Sequence, residues 1–244
     1  MTARRVALVT GAARGQGLAV VRTLLDDGYA VVACDVLADE LVSTVEPLPR
    51  DAVLAQRLDV TSADEWQEAI AAVRERFGRL DGLVSNAGIL HRSPLLEEDP
   101  ADFERAWRVN TLGLLLALQT CVPLLREGTA PAVVVTASNA AMRPFAEHAG
   151  YGASKWGARG LAQSAAVELA ELGIRVNTLL PGAIATPMLP EASIPRISSW
   201  VPLGRPGRTD EIASVVSFLL SEQASYLTGA EILVDGGQLL RTHL

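Results

Sequence analysis

Seven short apolar runs alternate along the chain with longer stretches of helical periodicity. The strand candidates are 6–10, 30–35, 53–58, 80–85, 132–138, 174–180 and 231–234, and helix patterns lie near 15–27, 37–46, 63–77, 101–126, 151–172 and 209–220. Several runs are almost wholly apolar, as suits parallel strands covered on both faces. Repeated β-then-α order at these lengths predicts a single domain over 1–244, built on one doubly wound parallel α/β sheet. Helix ends carry their own signals. Ser62 with Glu65 reads as a capping box, and Asp99-Pro100 as N-cap and first helical position. Asp210 and Glu211 after Thr209 suit a helix N-terminus. The one long irregular piece, about 187–206, holds five prolines together with Met188, Leu189 and Trp200, and reads as an apolar lid at the carboxyl edge of the sheet.

Composition removes several function classes. With 49% hydrophobic and 20% charged residues, the 244-residue chain can bury a large core. A net charge of −7 argues against nucleic acid or an anionic membrane as main partner. Cys34 and Cys121 form no disulfide framework and sit in apolar runs, as buried thiols in a reducing compartment do. His91, His148 and His243 lack metal-ligand spacing. No uninterrupted apolar run reaches the ~18 residues of a membrane span, and 6–9 is too short for a signal-peptide core, so the expected location is the cytoplasm.

The first half reads as a dinucleotide site. Gly11, Gly15 and Gly17 follow the first strand with Arg14 and Gln16 between them. Glycines there permit a tight turn and let backbone N–H groups meet a pyrophosphate, although a purely structural turn would use the same residues. The spacing G-x-x-x-G-x-G departs from the commoner G-x-G-x-x-G. Asp35 ends the second strand, where a carboxylate holds adenosine ribose hydroxyls and repels a 2′-phosphate, so NAD is favoured over NADP. Arg14 speaks for the opposite choice. Asp59-Val60 follows the third strand, as an adenine contact or as the turn before Ser62. Asn86-Ala87-Gly88 follows the fourth, with small residues where backbone must pass close to a ligand, or as a plain turn.

The second half carries the acid–base residues. Tyr151 and Lys155 lie four apart and share a helix face, where an ammonium favours the phenolate and lowers the phenol pKa. A phenol so tuned exchanges protons near neutral pH. Ser138 can bring a hydroxyl beside it. An exposed Tyr-Lys pair is the plain alternative. Asn110 is a polar break in a long helical pattern, where a local rule broken this way often marks function, and a satisfied core Asn is its plain counterpart.

Taken in order, these motifs resemble the short-chain dehydrogenase/reductase family over nearly the whole chain, continuing in Pro181-Gly182-Ala183-Ile184-Ala185-Thr186 and in Asp235-Gly236-Gly237. The resemblance implies a seven-stranded parallel Rossmann fold, a nicotinamide cofactor and a homotetramer. It implies Tyr151 as general acid/base, Lys155 as pKa modulator and ribose ligand, Ser138 as the group that holds the substrate oxygen, and Asn110 as the residue completing a proton relay. Thr186 with the Ile184 backbone would hold the carboxamide, and Pro181 and Gly182 would shape that wall. Ser85 replaces the first Asn of the usual Asn-Asn-Ala-Gly, Gln16 replaces a common Ile, and Ala141 stands where Gly is frequent.

The expected reaction is hydride transfer between NAD(H) and a secondary alcohol or ketone. Leu90, His91, Ala140, Met142, Phe145, His148, Met188, Leu189 and Trp200 are expected to face the substrate, a hydrophobic or alicyclic molecule. The runs 151–161 and 186–188 resemble bacterial hydroxysteroid dehydrogenases of the family. Two other readings compete: an NADPH-dependent ketoreductase of the acyl-carrier type, opposed by Asp35, and a non-catalytic NAD-binding regulator, opposed by the intact Ser138, Tyr151 and Lys155.

Overall fold

Val6 and Leu8 of the first apolar run pack into one hydrophobic cluster and Ala7 and Val9 into another, and all four are buried. That alternation, on a wholly apolar strand, is the signature of a sheet covered on both sides. In the computed structural model of the chain, which describes residues 4–241, seven strands form one parallel sheet in the order β3-β2-β1-β4-β5-β6-β7. The strands are β1 Val6–Thr10, β2 Ala30–Asp35, β3 Val53–Arg57, β4 Gly82–Ser85, β5 Ala132–Thr136, β6 Arg175–Pro181 and β7 Glu231–Val234. The helices are α1 Gly15–Asp26, α2 Ala38–Val45, α3 Ala63–Phe77, α4 Pro100–Trp107, α5 Gly113–Leu125, α6 Ala149–Ala170, α7 Ile194–Trp200 and α8 Thr209–Leu220. Apolar residues of α1, α2 and α8 join one cluster, and those of α3, α5 and α6 the other.

Chain order reverses between β1 and β4, which pair directly at Ala7↔Gly82, Leu8↔Leu83 and Val9↔Val84. In an open α/β sheet a ligand crevice forms beyond the carboxyl ends of the strands at such a switch point. The glycine loop follows β1 there, and Asn86-Ala87-Gly88 follows β4. Asp235 and Gly236 follow β7 on the same side.

Several local expectations change. The pattern at 101–126 is two helices joined by a π-helical turn, Arg108–Leu112, that carries Asn110. Its apolar positions run on through the turn, which hides the change of phase. Pro100–Leu125 is a continuous 26-residue helical stretch, long and apolar enough to cross a membrane by length and composition. Half of its most apolar window is buried against the rest of the fold, as for a core helix. The 187–206 segment is not wholly irregular: it contains α7, with Pro195 in its first turn, where a missing N–H costs nothing. Ser62 accepts from the Glu65 N–H at 3.3 Å, but the Glu65 carboxylate accepts from the Asp59 N–H at 2.6 Å, so the capping box is half-formed. Asp99 caps α4 through the Ala101 N–H, with Pro100 next, as expected.

Cys34 and Cys121 are fully buried, and burial pushes both thiols up, Cys121 to about 12. His91 pairs with Asp102 at 3.7 Å when protonated, and His243 lies outside the described residues.

Candidate active site

The loop between β1 and α1 is held from beneath. Asn86 donates its side-chain amide to the Thr10 and Gly11 carbonyls at 3.0 and 3.4 Å. The Asn86 and Ala87 N–H groups donate to the Thr10 hydroxyl, each at 3.0 Å. Only glycine fits at position 17, where a Cβ would come within 2.0 Å of the Gly11 carbonyl oxygen. The absent side chain lets the first turn of α1 close directly onto the loop.

Above this cradle runs a cleft of about 790 Å³, lined by Gly11, Arg14, Gly15, Asp35, Asp59, Val60 and the 86–88 turn. The Asp35 carboxylate, at the end of β2, accepts from the N–H groups of Ala13 and Leu37, each at 3.0 Å. Arg14 pairs with Glu40 at 3.6 Å. Asp59 spends one carboxylate oxygen on the Thr61 N–H and hydroxyl, at 2.9 and 2.8 Å, and the Val60 carbonyl accepts from the Trp66 indole. Both therefore build the turn as well as the wall.

The cleft continues into a smaller cavity of about 220 Å³, lined by Ser138, Tyr151, Lys155, Pro181, Gly182, Ile184 and Thr186 among others. Gln16, Asn86, Gly88, Thr186 and Met188 line both parts and so mark their junction. The Gln16 Oε1 is buried there with no hydrogen-bond partner among the described residues. A buried acceptor of that kind is satisfied when a ligand supplies the donor. A long cleft with a backbone cradle, a carboxylate beside it and an orphan acceptor at the far end fits an extended dinucleotide with its reacting ring in the smaller cavity.

Ser138 leaves β5 two residues beyond its end and caps the short turn Asn139–Ala141, its hydroxyl accepting from the Ala140 N–H at 3.1 Å. Arg159 braces that turn: it donates to the Ala141 carbonyl at 2.8 Å and forms a bidentate pair with Glu231 at 2.6 and 2.7 Å. Tyr151 and Lys155 lie on the first turns of α6, with the Lys155 Nζ 6.0 Å from the Tyr151 ring centroid. Lys155 is buried and donates to the Thr136 carbonyl at 2.9 Å.

The electrostatics differ from the sequence expectation. Burial raises the Tyr151 pKa, outweighing the Ser138 hydrogen bond and the Arg92 charge that pull it down. Lys155 is not among the groups that shift it, and burial pushes Lys155 itself down to about 8.

Asn110 is 4% exposed. It accepts from the Ile89 N–H at 2.9 Å and donates to the Ile89 carbonyl at 3.0 Å and the Ser154 hydroxyl at 2.9 Å. A Cβ on Gly88 would stand 3.0 Å from Asn110 Oδ1 and 3.1 Å from Lys155 Nζ, so the π-helical turn, α6 and the 86–88 turn meet there. The side chain is fully paired, and its visible role is to tie the loop after Gly88 to α6. Thr186 follows β6, its hydroxyl 3.4 Å from the Ile184 carbonyl.

Of the residues expected to face a substrate, Leu90, Ala140, Phe145, His148, Met188, Leu189 and Trp200 line the smaller cavity; His91 and Met142 do not. His91 turns to Asp102, and Met142 is exposed. Arg92, Arg196 and Gln238 line the cavity and were not anticipated. Gln238 accepts from the Asn139 amide and the Ala183 N–H at 3.0 and 3.2 Å, and the Gly236-Gly237 pair before it was its only signal.

A family model described as enoyl-(acyl carrier protein) reductase matches residues 11–238. The trans-4-hydroxycyclohexanecarboxylate dehydrogenase of Sinomonas cyclohexanicum is 36% identical, over 99% of this chain and 95% of its own. The 3-alpha-(or 20-beta)-hydroxysteroid dehydrogenase of Mycobacterium tuberculosis is 35% identical, over 96% of this chain and 88% of its own. The crystal structure of 3-ketoacyl-(acyl-carrier-protein) reductase from Brucella melitensis complexed with NADH matches with a TM-score of 0.92 at 32% identity, covering 97% of this chain and 98% of that one. With this fold, and with Ser138, Tyr151 and Lys155 gathered at one cavity, the chain belongs to the short-chain dehydrogenase/reductase family, oxidoreductases acting on CH–OH and C=O groups.

Proposed function

We propose that this protein is an NAD(H)-dependent dehydrogenase/reductase of alicyclic secondary alcohols and ketones. The observation that carries this reading is the convergence of Tyr151, Ser138 and Lys155 at the floor of a cavity walled by Leu90, Phe145, Met188, Leu189 and Trp200. Ring alcohols also figure in the names of the cyclohexanecarboxylate and hydroxysteroid relatives.

The glycine loop and the N-terminus of α1 would hold the pyrophosphate. Asp35 would hold the adenosine ribose, Lys155 the nicotinamide ribose, and Thr186 with Ile184 the carboxamide. Bound NAD(H) supplies the hydride acceptor or donor. Ser138 holds the substrate oxygen and steadies its developing charge. Tyr151 gives that oxygen a proton in reduction and takes one in oxidation. Burial raises its pKa in the protein alone, and the Ser138 hydrogen bond and the Arg92 charge oppose that rise. Asn110 fixes the loop after Gly88 against α6 and so keeps Lys155 in register with Tyr151. The 187–206 segment, whose Met188, Leu189, Arg196, Ile197 and Trp200 line the cavity, would serve as its lid and limit the entry of water. The site would work in the cytoplasm, where buried thiols stay reduced.

Tyr151→Phe tests the mechanism. Turnover of cyclohexanol or cyclohexanone is expected to fall by about 10³-fold or more with NADH binding retained; unchanged turnover would sink the proposal. Cofactor choice rests on Asp35, and on Arg14 being engaged by Glu40. NADH is expected to bind at least about tenfold more tightly than NADPH in a fluorescence titration, and the reverse order would refute the Asp35 argument.

The acyl-carrier reading draws support from the ketoacyl reductase neighbour. Asp35 beside the ribose position and an overall charge of −7 favour the small-molecule reading.

A further inference from the structure

The acidic chain encloses a cavity of the opposite sign. Among the described residues that line it, Arg92, Arg196 and Lys155 carry positive charge and none is Asp or Glu. Most arginines elsewhere with a defined partner meet a carboxylate: Arg57 meets Glu65, Arg79 meets Asp81, Arg159 meets Glu231 and Arg205 meets Glu211. Arg92 and Arg196 have no carboxylate partner among the described residues.

Both are held beside the cavity by structure that has no evident need of their charge. Arg92 lies on the loop after β4, where the next residue, Ser93, donates to the Glu147 carbonyl at 3.2 Å and forms an isolated bridge to His148. That contact fastens the Arg92 loop to the residues that lead into α6, three and four before Tyr151. Arg92 also acts on the Tyr151 phenol, pulling its pKa down against burial. Arg196 lies on α7, its guanidinium 5.1 Å from the Trp200 ring centroid. Stacking pre-sets a guanidinium plane and leaves its edge N–H groups for a planar acceptor. The same lining includes the apolar side chains of Phe145, Leu189, Ile197 and Trp200. A neutral ring alcohol has no use for two such cations.

We propose that the substrate is a cyclic hydroxy acid or keto acid, whose carboxylate is held by Arg92 and Arg196 while its carbinol or keto carbon lies against Ser138 and Tyr151. This deepens the dehydrogenase reading and rests on Ser138 and Tyr151 being the reacting end of the cavity. In reduction the keto carbon gains a hydride from NADH, its oxygen gains the Tyr151 proton, and the carboxylate is unchanged.

The test compares 4-oxocyclohexanecarboxylate with its methyl ester at pH 7, reading kcat/KM by NADH absorbance. The acid is expected to be preferred by about tenfold, through KM, and the preference to shrink with added salt, since both arginines are exposed. In Arg92→Gln and Arg196→Gln the acid-to-ester ratio is expected to fall toward one. Because the ratio is read within each variant, a general loss of activity does not mimic the result. Equal rates on acid and ester in the wild-type enzyme overturn the proposal, as does a ratio that both variants leave unchanged. A higher kcat/KM for acetoacetyl-CoA than for the keto acid also overturns it, because the cations would then serve a phosphate-bearing thioester. Calorimetric binding of cyclohexanecarboxylate against cyclohexanecarboxamide separates this proposal from the dehydrogenase reading. Tighter carboxylate binding without turnover of any ketone keeps the arginine site and rejects the chemistry; equal binding rejects the arginine site even where ketones are reduced.

Discussion

Lys155 sets the terms at the residue scale. A buried ammonium with one carbonyl partner is an expensive group, and its pKa of about 8 against an ordinary 10.5 expresses that expense. Below pH 8 the side chain is charged in both folded and unfolded chains, so folding bears the full penalty, on the order of 3 kcal/mol. Between 8 and 10.5 only the unfolded chain holds the proton, so this contribution to stability rises with pH; above 10.5 the penalty is gone. Lys155→Met is therefore expected to stabilise the cofactor-free protein at pH 7. The lost Thr136 hydrogen bond takes back about 1 kcal/mol. The net gain is about 2 kcal/mol, a rise of roughly 5 °C in Tm by differential scanning calorimetry. The advantage over wild type is expected to shrink as pH rises through 8 toward 10.5. An unchanged or lower Tm at pH 7 would show that Lys155 carries no such cost. The same variant is expected to bind NADH more weakly, so stability and function pull on this residue in opposite directions.

At the scale of elements, the sheet is stitched at the edge opposite the site by one buried carboxylate. Asp81 precedes β4 and is fully buried. It accepts from the Val6 N–H at 2.8 Å, the Thr129 N–H at 2.6 Å and the Arg79 guanidinium at 2.6 and 2.9 Å. It thus joins the entries of β1, β4 and β5 on the side away from Tyr151. Removing one partner of a buried, hydrogen-bonded pair strands the others. Asp81→Ala is expected to cost about 3 kcal/mol in urea unfolding while leaving the affinity of the folded protein for NADH within about twofold. A loss below about 1 kcal/mol would show that water replaces the carboxylate. Asp81 also explains where sequence reading stopped. Leu80 and Asp81 look like the start of a strand, but the side chain of Asp81 does the bonding there and the ladder opens at Gly82. Ala137 and Ser138 continue an apolar run, yet β5 ends at Thr136 because Ser138 turns to cap Asn139–Ala141. The strands and most helices were legible because apolar period and length repeat over many residues. The π-helical turn at Asn110 was visible only as a polar residue out of place, and α7 was hidden by Pro195 and by the prolines on either side of the helix. Glycines, Asp35, Ser138, Tyr151 and Lys155 were legible as an ordered set. Arg92 and Arg196 were not, because an arginine in a loop or on a short helix reads as solvated until the fold shows which cavity it borders.

At the scale of the whole molecule, the helices that carry the site also carry an unspent apolar face. Trp107 on α4, Leu115 on α5, and Trp156, Val167 and Leu172 on or just after α6 are exposed, Val167 to 76%. Gly152 and Gly160 on α6 have open space where a Cβ would stand, so a second helix could approach it closely there. A homotetramer that pairs the α4–α6 faces would cover these residues, and it would brace the element holding Tyr151 and Lys155 from behind. Light scattering at micromolar concentration is expected to give four times the 25.8 kDa chain mass. Val167→Glu places a charge at the centre of such a contact, where burial without a partner costs several kcal/mol per face. The variant is expected to dissociate to dimers or monomers, and its apparent NADH affinity to fall, because α6 loses the neighbour that fixes its first turns. Wild-type protein running at 25.8 kDa would reject the assembly. A Val167→Glu tetramer of full mass would reject the placement of the interface on α6. A dissociated variant with unchanged NADH affinity would show that α6 is held by its own packing on β6 and the Arg159–Glu231 pair alone.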